Sequence, residues 1–193
     1  MAPEGAPKAA GVVCHAHPLH GGIMHYKVVF HAAKALQRNA VAALRFNFRG
    51  VGRSQGTHDH GRGEQDDVRA ALDEMSRRYP DLPLVLGGFS FGSVMALRAG
   101  ASDPRVRALF ALGLPVSIAD TSFLDGCRTP RLFVQGENDE FGSGERVREL
   151  VERLPQPCTL EVVAGSDHFF TRHLHVLQQL VSSWIASRPW EAA

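Results

Sequence analysis

Ser90 stands in Gly88-Phe89-Ser90-Phe91-Gly92, directly after the apolar run Leu84-Val85-Leu86 and ahead of a stretch containing Val94, Ala96 and Ala99. This spacing predicts a strand, a sharp turn and a helix, with the serine hydroxyl projected from the turn. The flanking glycines fit because a side chain there would meet neighbouring backbone in so tight a turn. Phe91 opens the helix, so its N–H faces the charge that develops when Ser90 attacks a carbonyl.

A serine hydroxyl is a weak nucleophile until a base takes its proton, and the base needs a group to orient it. In parallel sheets such groups gather beyond the carboxyl ends of the strands. Two segments qualify. Gln135-Gly136-Glu137-Asn138-Asp139-Glu140 offers Asp139 as the acid, with Glu137 and Glu140 as alternatives for that role. Gly165-Ser166-Asp167-His168-Phe169-Phe170 offers His168 as the base. A second oxyanion donor is expected from His15-Ala16-His17-Pro18-Leu19-His20-Gly21-Gly22. Proline has no N–H to give, so Leu19 is the expected donor, with His20 behind it. Met24, Phe91, Phe169 and Phe170 are the expected pocket walls and substrate contacts.

Two other clusters have chemical potential. His15, His17, His20 and His25 crowd one loop, and an H-x-H pair at a strand end can ligate zinc. No second histidine and carboxylate cluster follows at the other strand ends, so they read as hydrogen-bonded loop residues and no metal or cofactor is expected. Arg49, Gly50, Gly52 and Ser54 resemble a phosphate loop only superficially, since no Lys-Ser or Lys-Thr closes it. They read as a brace beside the site.

The elements that must position these groups alternate along the chain. Strands are predicted at 11–14, 41–48, 84–89, 106–112, 131–135 and 159–163. Helical spacing appears in Val29, Ala33 and Leu36, in Val68, Ala71, Leu72 and Met75, after Ser90, in Val147, Leu150, Val151 and Leu154, and in Leu174, Leu177, Val181 and Trp184. Alternation of this kind argues an α/β fold, a mostly parallel, doubly wound sheet of about six strands. It forms one domain over 1–193, with 1–10 as a short polar tail. Residues 113–129 are too few for a lid, so the site should be open and favour small acyl groups.

Composition narrows the partners. The 193 residues carry a formal net charge of +1, with scattered basic residues, giving no stripe for nucleic acid. No apolar stretch approaches the roughly 20 residues needed to span a bilayer. The polar N-terminus and three cysteines suit a cytoplasmic protein.

The chain resembles the α/β-hydrolase superfamily over nearly its whole length, and more narrowly a group of small, cap-less hydrolases related to dienelactone hydrolases. The resemblance rests on His17-Pro18-Leu19-His20-Gly21-Gly22, on Lys27-Val28-Val29, and above all on the run from Leu44 to Ser54. It continues through Gly63-Glu64 with Asp67, the Ser90 motif, Gln135-Gly136 with Asp139, and Asp167-His168-Phe169-Phe170. The order Ser90, Asp139, His168 matches the nucleophile, acid, base order of that superfamily. The resemblance implies a Ser-His-Asp hydrolase acting through an acyl-enzyme on a small carboxylic ester. Thioester, lactone or peptide cleavage by the same triad, or a binding module without turnover, are the alternatives.

Two departures carry expectations. Ala16 stands where the group shows a proline, which should loosen the loop. The strand pair that normally precedes the first strand here has no counterpart, which leaves 41–48 at or near an edge. An open apolar edge invites pairing, so either a homodimer through that edge or a chain start further upstream is expected.

Overall fold

Short apolar strands alternating with one-sided helices can bury both faces of a parallel sheet, and the computed structural model, which describes residues 1–190, has that build. In chain order the elements are β1 (Ala9–Cys14), α1 (Lys27–Arg38), β2 (Val41–Arg45), α2 (Gly63–Arg78), β3 (Leu84–Phe89), α3 (Phe91–Gly100), β4 (Val106–Leu112), β5 (Arg131–Gly136), α4 (Gly144–Arg153), β6 (Cys158–Val163) and α5 (Leu174–Ala186). The strands form one six-stranded sheet in the order β2-β1-β3-β4-β5-β6. Every pairing is parallel, so the sheet is more uniform than "mostly parallel" implied.

Alternating residues of the strands face two separate cores. On one side Val12, Leu84, Leu86, Leu109 and Phe133 meet Val68 and Leu72 of α2, Leu97 of α3 and Val147 of α4. On the other, Val13, Val85, Phe110 and Val134 meet Val29 and Leu36 of α1 and Leu177 and Val181 of α5. The chain goes out from β1 to β2, then returns to build β3 on the other side of β1. That reversal opens a crevice beyond the carboxyl ends of β1 and β3, where such sheets hold their functional groups.

Four boundaries differ from those expected from sequence, β5 running one residue further, to Gly136. β1 begins at Ala9, within the stretch expected to be tail, because Ala9 pairs with Val41 and Ala10 with Leu84, and both alanines are fully buried. β2 stops at Arg45 rather than running to residue 48. Beyond it the chain takes side-chain partners in place of a ladder: the Phe48 N–H donates to His15 Nε2 at 3.0 Å, and Asn47 Oδ1 accepts the Met24 N–H at 2.8 Å. β6 starts one residue early, at Cys158, and is half-buried as an edge strand should be.

β2 is the opposite edge, and it is not bare. Ala43 donates its N–H to the Met1 carbonyl at 2.9 Å and accepts from the Met1 ammonium at 2.6 Å. A second copy pairing along β2 would have to displace Met1. Among the described residues, no helix is long and apolar enough to cross a membrane.

Candidate active site

The sequence between β3 and α3 forces the backbone of Ser90 to φ 55° and ψ −124°, a region a non-glycine residue occupies only when its surroundings hold it there. The Ser90 N–H donates to the Leu112 carbonyl at 2.9 Å, and its own carbonyl accepts from both the N–H and the hydroxyl of Ser93. Two neighbours must be glycine. A Cβ on Gly88 would lie 2.4 Å from the Gly92 carbonyl oxygen, and one on Gly92 would lie 2.2 Å from that of His15. Residue 92 therefore presses the start of α3 against the loop leaving β1. Among the described residues nothing accepts the N–H of Phe91, the first residue of α3.

β5 and β6 deliver the partners of Ser90. His168 Nε2 stands 2.9 Å from Ser90 Oγ, and His168 Nδ1 stands 2.7 Å from Asp139 Oδ2. His168 and Asp139 are 2% and 3% exposed, so the chain of three groups lies in a low-dielectric setting where each contact is strengthened. Asp139 Oδ1 accepts the Phe141 N–H at 2.9 Å, and Oδ2 also accepts from Gln135 Nε2 at 2.8 Å. A carboxyl already accepting these donors leaves His168 Nδ1 to donate and Nε2 to accept the serine proton. The ring of His168 is held between Phe89, Phe141 and Phe169 at centroid distances of 5.0, 4.7 and 5.2 Å. Of the alternatives for the acid, Glu137 binds the Gly165 N–H at 2.8 Å and Glu140 is exposed; neither contacts His168.

Three expected residues lie elsewhere. The Leu19 N–H is already donated to His17 Nδ1 at 3.2 Å, and the Leu19 side chain is 67% exposed outside the cavity. The proline at 18 starts a short 3-10 turn that His17 caps, and Leu19 on it is not among the residues lining the cavity. His17 itself lines the cavity, with its ring 4.9 Å from that of Phe91 and no acceptor for its N–H among the described residues. Met24 is half-buried in the scaffold, its carbonyl accepting from Arg45 at 2.9 Å and its N–H donating to Asn47. Phe170 is fully buried in the core formed with α5, while Phe169 alone of that pair turns to the cavity. The backbone of Phe170, at φ 53° in the turn after His168, sends its side chain into the core and leaves Phe169 at the cavity.

The cavity, about 600 Å³, runs from Ser90 along one face of α3. Phe91, Val94, Met95 and Arg98 form that face, with Pro115, Ile118 and Ala119 opposite. Sequence reading passed over Val94, Met95 and Arg98, although the i, i+3, i+4, i+7 spacing from Phe91 places them on one face.

Four imidazoles, His17, His20, His58 and His60, gather on the wall beside Phe91, with ring separations of 4.7 to 5.1 Å. Burial lowers the pKa of His17, and the neighbouring His58 and His20 lower it further. Beneath them Glu64 is fully buried; burial raises its carboxyl, but N–H donors from Asp59 and Gly61 outweigh this and leave it lowered. His58 Nδ1 lies 2.8 Å from Glu64 Oε1, an ion-pair distance whose angle falls short of a hydrogen bond. His15 sits behind the wall, fully buried, its Nδ1 bonded to the Ala16 carbonyl at 2.7 Å. Burial takes its pKa down to about 4, the Ala16 bond opposing. Arg49 braces the next loop through Asp67, at 2.9 Å.

A serine on a strained strand-to-helix turn, with histidine and aspartate beyond the next strands of a parallel sheet, defines an α/β hydrolase. This chain belongs to that family: the family model described as an alpha/beta hydrolase domain matches residues 8–182. It is 37% identical to an uncharacterised protein of Rickettsia prowazekii, over 90% of this chain and 77% of that one. Among solved structures it is similar to an alpha-beta serine hydrolase homologue from Coxiella burnetii, with a TM-score of 0.89, 36% identity, and coverage of 95% of this chain and 88% of the other. It is also similar to an α/β serine hydrolase without a lid from Xanthomonas campestris, with a TM-score of 0.87, 36% identity, and coverage of 97% and 88%. The protein is a hydrolase enzyme.

Proposed function

We propose that the protein cleaves small carboxylic esters through an acyl-enzyme on Ser90. The observation that carries this reading is the position of His168, within hydrogen-bonding distance of both Ser90 Oγ and Asp139 Oδ2. Ser90 Oγ attacks the ester carbonyl while His168 Nε2 takes its proton. Asp139 holds the imidazole in the tautomer this needs and stabilises the imidazolium that forms. The N–H of Phe91 and that of His17 receive the oxyanion; both are unclaimed among the described residues, and Gly92 presses the loop that carries His17 against α3. Collapse of the tetrahedral intermediate expels the alcohol, protonated by His168, and leaves the acyl group on Ser90. A water activated by the same histidine then releases the acid.

The first test is labelling by a fluorophosphonate probe, with Ser90→Ala as the control. The expected result is labelling of the natural protein and none of the variant; a folded natural protein that takes no label overturns the reading. The open cavity also predicts faster turnover of short-chain than long-chain para-nitrophenyl esters, and the reverse order would refute an unlidded small-ester site.

A further inference from the structure

We infer that Phe141 and Phe169 form the subsite for the alcohol that is expelled, and that this alcohol carries an aromatic ring next to its ester oxygen. The inference rests on Ser90 as the reacting centre and names the substrate class of that same site. His168 Nε2 takes the Ser90 proton and returns it to the leaving oxygen, so the alcohol must depart from beside the His168 ring. What packs around that ring is what the alcohol meets first.

The three phenyl rings packed on His168 divide by exposure. Phe89, at 5.0 Å, is fully buried and has no surface to offer a substrate. Phe141, at 4.7 Å, and Phe169, at 5.2 Å, are 37% and 44% exposed, and both line the cavity. Both are held in place. The Phe141 N–H donates to Asp139 Oδ1 at 2.9 Å, and its carbonyl accepts the Ser117 N–H at 3.0 Å. The Phe169 ring rests against those of Tyr26 and Phe89, each with its centroid 6.4 Å away. Two phenyl rings fixed before substrate arrives give an apolar guest contact at little ordering cost. An aromatic guest adds edge-to-face attraction that an alkyl guest of the same size lacks. The preference belongs to the alcohol arm, because it is the leaving oxygen that His168 must reach.

The test compares benzyl acetate with cyclohexylmethyl acetate, whose alcohols are alike in bulk and acidity and differ in the π-system of the ring. The kcat/KM ratio should favour the benzyl ester by roughly three- to tenfold. Phe141→Leu and Phe169→Leu keep an apolar side chain without the ring. Each should lower the ratio, and the two together should bring it close to one. Phe169→Tyr, which keeps the ring, should preserve it. Both esters are read on the same sample, so the ratio is independent of how much of a variant is folded. The methyl esters of phenylacetic and cyclohexylacetic acid carry the same rings on the acyl arm and should not depend on the two residues in this way. A benzyl ratio near one, a ratio that survives the double substitution, or dependence on Phe141 and Phe169 in the acyl arm alone would overturn the inference. So would turnover of neither acetate by protein that takes the fluorophosphonate label. Absence of the label at Ser90 is the separate result that overturns the hydrolase reading, and this inference with it.

Discussion

Gln135 and Asp139 are joined by a 2.8 Å hydrogen bond from Nε2 to Oδ2, the same carboxylate oxygen that faces His168 at 2.7 Å. Gln135 is fully buried, accepts the Leu114 N–H at 2.8 Å and donates to the Gly142 carbonyl at 2.6 Å. It therefore ties the acid to the loops that leave β4 and β5. A Gln135→Leu substitution removes the donor and strands buried partners, at a cost of about 1–3 kcal/mol in stability. Urea unfolding should show that loss. Turnover should fall through kcat more than through KM, because Asp139 loses the bond that holds it against His168.

Asp139→Asn should lower kcat by roughly a thousandfold or more, since an amide in that place favours the wrong tautomer of His168. Glu137→Gln and Glu140→Gln should leave kcat within a factor of about two, as neither carboxyl reaches the histidine. Steady-state ester hydrolysis of the three variants decides between the carboxyls of this segment.

Phe169 and Phe170 face different ways. Phe170→Ala empties a fully buried site and should cost about 3–5 kcal/mol. Phe169→Ala, at a position 44% exposed on the cavity rim, should cost less than about 1 kcal/mol and act on KM. Paired denaturation and kinetic measurements on both variants separate the roles.

Stability should depend on pH through His15. Its pKa is about 4 in the folded protein against 6.5 as an ordinary histidine. The unfolded chain thus binds the proton more readily, so stability is whole above 6.5 and is lost as pH falls from 6.5 towards 4. The loss amounts to about 3 kcal/mol for a shift of this size. In His15→Gln, whose amide can still accept the Phe48 N–H, unfolding free energy should change less steeply across that window. Equal slopes in the two proteins would mean that His15 is not the group responsible.

Sequence alone determined the α/β class, the run of strands and helices, and that Ser90, Asp139 and His168 would meet at one end of the sheet. These are local signals: an apolar run, a turn that only glycine neighbours permit, and polar groups placed just past strand ends. Phe91 could be read for the same reason, as the N–H of a helix's first residue has no acceptor within the helix. Tertiary structure decided what depends on neighbours distant in the chain. Whether Leu19 or His17 keeps its N–H free depends on an imidazole turning back onto its own loop. Whether Met24 or Phe170 sees substrate depends on Asn47, Arg45 and α5, none of which is adjacent in sequence. The extra residues of β1 came from pairing with β2 and β3, and the loss of residues 46–48 from β2 came from His15 and Asn47 offering other bonds. The cavity itself belongs to no single segment. It exists because α2, α3 and residues 115–120 are brought to one end of the sheet, and only there do Phe141 and Phe169 face a common space with Ser90.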